Sequence, residues 1–63
     1  MEVFVVRINL DSGKTAIIHD GFLYELNGNK LENPVEVLDI NDFKDTDNVI
    51  VKATVTDNVI SFL

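Results

Sequence analysis

Sixty-three residues without a cysteine leave room for one domain and exclude disulfide and thiolate-metal staples. An apolar fraction of 46% supplies a small core and argues against disorder, while a net charge of −6 disfavours direct binding to nucleic acid or anionic membrane, both of which recruit Lys and Arg. Chains this short remove only about 60% of their unfolded surface from water, so self-association, as a homodimer or on another protein, is an expectation from size alone.

The first segment, residues 2–10, is too short and too broken by Arg7 and Asn9 to span a bilayer. It also lacks the basic flank and small-residue cleavage site of a signal peptide. The expectation is a soluble, cytoplasmic chain with no membrane contact. Its Val, Ile and Phe content suits a strand. Phe4, Val6, Ile8 and Leu10 fall on one face, and Val3 and Val5 make the other face apolar near its start. Such a strand belongs in the middle of a sheet covered on both sides.

Asp11-Ser12-Gly13 fits a three-residue hairpin loop, which pairs Ile8 with Ala16, Arg7 with Ile17 and Val6 with Ile18. A one-residue slip would bring Lys14 and His19 onto the face of Val6 and Ile8, so the pattern selects this register. Two further turn signals follow, Asp20-Gly21 and Asn27-Gly28. A turn at Asn27-Gly28 pairs Leu26 with Asn29, Glu25 with Lys30 and Tyr24 with Leu31, and lines one face with Phe22, Tyr24, Leu26 and Leu31.

The stretch ENPVEVLDINDFKD is less regular. Asn33-Pro34-Val35-Glu36 has the form of a capping box with proline at the first helical position. Val35, Val37, Ile40 and the aspartates at 39, 42 and 45 oppose a helix. The reading is a strand over about 35–40 followed by an acidic loop, with one short helical turn near 34–44 as the alternative.

The pentapeptide TDNVI then occurs at 46–50 and again at 56–60. A two-residue turn at Asp57-Asn58 places Val55 opposite Ile60, Thr54 opposite Ser61 and Ala53 opposite Phe62, which leaves one apolar face. The same turn at Asp47-Asn48 would set Phe43 against Lys52. The first copy therefore ends a loop and enters a strand, while the second closes a hairpin. The whole reads as an all-β single domain of five or six short antiparallel strands in a meander, curled into an SH3-like or OB-like small barrel or left as a twisted sheet that dimerises.

Little in this sequence supports catalysis. One histidine, His19, sits beside a turn, Ser12 lies in a tight turn, and no G-x-S-x-G or phosphate-cradling loop occurs. No enzyme activity, cofactor or metal site is expected. Clustered aspartates suggest calcium, but from Asp39 the sixth loop position is Lys44 where an EF-hand needs glycine.

What does stand out is charge placement. Residues 32–47 hold Glu32, Glu36, Asp39, Asp42, Asp45 and Asp47 against Lys44 alone, a net of −5. These six carboxylates are the candidate partner-binding residues. Two functions follow. One is a non-enzymatic protein–protein interaction module or small accessory protein that self-associates through an apolar patch or strand edge. The other is an acidic phosphate mimic that occupies a nucleic-acid-binding protein. In style alone the second resembles phage anti-restriction and anti-CRISPR proteins.

Overall fold

Alternating apolar side chains and tight corners close this chain into a six-stranded antiparallel barrel, described for Glu2–Leu63 in a computed structural model. The strands are β1 (Glu2–Asn9), β2 (Thr15–His19), β3 (Phe22–Asn27), β4 (Lys30–Glu36), β5 (Asp47–Thr56) and β6 (Val59–Phe62), with a single 3-10 turn at Ile40–Phe43. They close in the order β1-β2-β3-β4-β6-β5, so the meander holds through β4 and the last two strands enter in reverse. No helix among the described residues is long and apolar enough to cross a membrane.

The β1–β2 register is the expected one, with Val6 opposite Ile18, Arg7 opposite Ile17 and Ile8 opposite Ala16. Gly13 takes φ 89 at the end of the loop, which its missing side chain permits. The β5–β6 hairpin also matches, with Val55 opposite Ile60, Thr54 opposite Ser61 and Ala53 opposite Phe62. Its corner residues Asp57 and Asn58 take φ 51 and 65, as a type I′ turn requires.

At the β3–β4 corner the structure corrects the sequence reading. Leu26 faces Leu31 and Asn27 faces Lys30, so the turn residues are Gly28 and Asn29 rather than Asn27 and Gly28. Gly28 sits at φ 61 in the first turn position, which fits a type II′ corner. Both registers keep Tyr24, Leu26 and Leu31 on one face, so face pattern could not choose between them. Direct Leu26–Leu31 packing favours the observed one. It also removes the expected Glu25–Lys30 pair and sets Glu25 opposite Glu32 instead.

The second correction lies in the next few residues. The pairing slips between Leu23 and Glu25, so that Asn33 and Pro34 together oppose Tyr24. Asn33 has φ 53, and Pro34 has no N–H to place. Asn33-Pro34 is therefore a β-bulge inside β4 and not a helix cap. The strand stops at Glu36, short of the expected 40, and the helical turn falls at Ile40–Phe43.

Two apolar clusters result, one on each side of the sheet. Inside the barrel Val5, Ile17, Leu31, Ala53 and Ile60 are buried, with Val3, Tyr24, Leu26, Val51 and Val55 packed around them. Outside it, Ile8, Ala16 and Ile18 are buried beneath Val37 and Phe43. The connection from β4 to β5 thus straps the outer face of β1–β3. This explains why β1 is apolar on both faces: Val3 and Val5 point inward, while Val6 and Ile8 lie under the strap.

Candidate interaction surface

The strap, residues 37–46, is built by short polar contacts at either end of the 3-10 turn. Asp39 caps it by accepting a hydrogen bond from the Asn41 amide at 2.9 Å. At its other end the Phe43 carbonyl accepts from the Thr46 hydroxyl at 2.6 Å, the Asn48 side chain at 3.0 Å and the Thr46 amide at 3.1 Å. The first TDNVI copy is thus a helix-end cap, and the second is a hairpin corner. One pentapeptide serves two local geometries because Thr and Asn offer side-chain donors, and Asp and Asn tolerate left-handed backbone.

Side chains at i and i+3 of a 3-10 turn lie above one another. Ile40 and Phe43 therefore form one ridge. Phe43 fills the outer core. Ile40 instead borders a groove of about 270 Å³ whose other walls are Val6, Asn41, Phe43, Lys44, Asn48 and Ile50. Register places Val6 beside Ile50 and Phe4 beside Lys52 on the same outer face. Ile50 is 69% exposed and Ile40 53% at the groove, and Phe4, 71% exposed, continues the outer face of β1 beyond Val6. The nearest charge pair, Glu2 with Lys52 at 2.9 Å, is half-exposed on both sides and worth little.

The six sequence-selected carboxylates divide. Asp39, Asp42 and Asp45 lie on the strap, exposed, and Glu36 and Asp47 sit where it leaves β4 and enters β5. Glu32 stands apart in the β3–β4 ladder opposite Glu25. Asp47 accepts a hydrogen bond from the Asn9 side chain at 3.1 Å. Asp11, Asp45 and Asp47 share a second depression of about 220 Å³. Among the described residues no group of His, Cys, Asp or Glu converges as metal ligands would, and no buried polar side chain lies in the core.

The sequence pattern puts Phe4 and Val6 on one strand face but does not join Ile40 or Ile50 to them, because nothing local shows that the strap lies next to β5. At the barrel interior's edge, Arg7 lies over the Phe62 ring, 5.4 Å from its centre, a cation–π contact joining β1 to β6. His19 is half-buried opposite Phe22, beside the Asp20-Gly21 corner. Compared with known proteins, the chain matches no family model, no curated protein and no solved structure.

Proposed function

We propose that this chain is a non-enzymatic protein–protein interaction module that works through the outer face of β1, β5 and the strap. The observation that carries the reading is the exposed apolar pair Ile40 and Ile50 lining one groove, with exposed Phe4 on the same outer face two residues from Val6. Monomers seldom leave such large side chains together in water, and a patch with a polar rim marks an interaction site. Burial of this kind is driven by water release, so the association survives high salt. In sedimentation and pull-down measurements at low and high salt, the double variant Phe4→Ser/Ile50→Ser is expected to lose at least about tenfold in affinity. Its fold should be unchanged, since both side chains face solvent. A chain that stays monomeric, and whose double variant retains every partner of the parent, would contradict the reading.

A second reading has its own support. None of the carboxylates on the strap is in an ion pair among the described residues, so their field reaches outward unneutralised. As a phosphate mimic the protein would bind a basic nucleic-acid-binding cleft, and that contact would weaken steeply with salt. Changing Asp39, Asp42, Asp45 and Asp47 to Asn is expected to abolish such binding without unfolding the barrel. Full retained affinity in that quadruple variant would remove the second reading and leave the first untouched.

A further inference from the structure

We propose that the groove between the strap and β5 binds a basic segment of another protein, one that buries a bulky apolar side chain between flanking lysines or arginines. This rests on the interaction-module reading and names the chemistry of its partner.

The groove suits a side chain better than a cofactor. Val6, Ile40, Phe43 and Ile50 give it apolar walls. Its volume of about 270 Å³ lies at the foot of the range for small-molecule sites, roughly 300–1,000 Å³. A cofactor would stand largely in water there, whereas one large side chain can be covered. The walls are also held in place. The Asn48 side chain donates to the Phe43 carbonyl at 3.0 Å and to the Thr46 carbonyl at 2.8 Å, which pins the end of the strap to β5. A site formed in advance spares its ligand the cost of ordering it.

Charge selects among the occupants. Asp39, Asp42, Asp45 and Asp47 are chain neighbours of the wall residues Ile40, Phe43, Lys44 and Asn48 respectively. One residue of separation is well inside the screening length of about 8 Å at physiological salt. Their fields therefore reach the groove whichever way the side chains point. None of the four is in an ion pair among the described residues. Lys44 stands in the wall as the opposing cation, while Lys52, on the same outer face, is matched by Glu2 at 2.9 Å. Four carboxylates against one lysine leave the groove in a negative field. A second copy is a poor occupant, because it brings its own net charge of −6 into that field. Acidic peptides are opposed in the same way. A segment with lysine or arginine flanks is drawn in, and its apolar side chain then holds it there once the flanks have steered it.

Amide shifts of the isotope-labelled full chain locate the contact. The probe is a short synthetic peptide with a Leu-Phe anchor between lysine flanks. It is expected to shift the amides of Ile40, Lys44, Asn48 and Ile50. It should bind at least about tenfold more tightly than the same anchor between glutamate flanks, or than the same lysines around serine. Rising salt should weaken it without abolishing it, because the apolar share of the contact is not screened. Lys44→Gln removes the opposing charge and should tighten binding about twofold. Asp39→Asn/Asp42→Asn/Asp45→Asn should weaken it at least about fivefold. Asparagine caps a helical turn as well as aspartate does, so the triple variant keeps the strap. Anchor binding in the groove that ignores flank charge, or that weakens in Lys44→Gln, overturns the proposal and leaves the interaction-module reading standing. Equal binding of the serine control overturns it too, and supports the phosphate-mimic reading instead. No shift with any of these peptides up to roughly 1 mM also overturns it. The Phe4→Ser/Ile50→Ser measurement then decides separately whether the interaction-module reading falls with it.

Discussion

Ile17→Ala is expected to cost about 2–5 kcal/mol and to leave much of the chain unfolded at mild urea concentrations. Ile17 is fully buried in the barrel interior, opposite Arg7 on one side and Tyr24 on the other. Truncation there loses transfer energy and leaves a cavity, because β2 is held on both edges and cannot collapse inward. Sixty-three residues have a total stability of only roughly 3–9 kcal/mol at typical values per residue. The loss is thus of the same order as the whole. Urea unfolding followed by circular dichroism checks it, and a midpoint shift worth under about 1 kcal/mol would mean the interior is not packed as described. The apolar face shared by Ala53, Val55, Ile60 and Phe62 leads the sequence reading to expect Phe62 as a buried aromatic anchor. The structure leaves Phe62 37% exposed, with Arg7 across its ring, so Ile17 takes that role.

The second large effect is local. Phe43→Ala should cost about 3 kcal/mol, the low end for a phenylalanine because Phe43 is only half-buried. Its ring is the main peg of the strap over Ile8, Ala16 and Ile18. Losing it should release residues 37–46 before the barrel opens. Hydrogen exchange distinguishes the cases. Amides of Asp42, Lys44 and Thr46 donate within the strap and should lose protection, while those of the β5–β6 hairpin keep it. Uniform loss across both regions would mean that the strap and barrel unfold as one unit.

How much of this was legible in advance depended on how local the deciding interaction is. The β1–β2 and β5–β6 registers followed from turn residues and face pattern, because a one-residue slip there puts a polar side chain in the core. At Asn27-Gly28-Asn29 the two readings differ by a shift that preserves faces, so that signal was blind. The deciding contact, Leu26 against Leu31, becomes visible only once both strands are placed. The bulge at Asn33-Pro34 carried a cap's sequence signature, and only the left-handed backbone of Asn33, where an N-cap would be extended, tells the two apart. The strap was least legible of all. Its acidity was plain, but its role as a cover rests on Val37 and Phe43 meeting residues far earlier in the chain. The same holds for the interaction surface. Phe4 could be named from its strand, whereas Ile40 and Ile50 join it only through the crossover.

Pairing of β1 with β5 also bears on how the molecule is made. Asn9 meets Asp47 and Glu2 meets Thr54, partners separated by most of the chain's length. Such non-local contacts carry a large loop-closure cost and slow folding relative to hairpins. During synthesis the first strand emerges from the ribosome long before its mate. It can pair with β2 early, yet the barrel stays open until β5 has been translated. Completion is therefore a late event, and until β5 arrives one long edge of β1 stays without its partner.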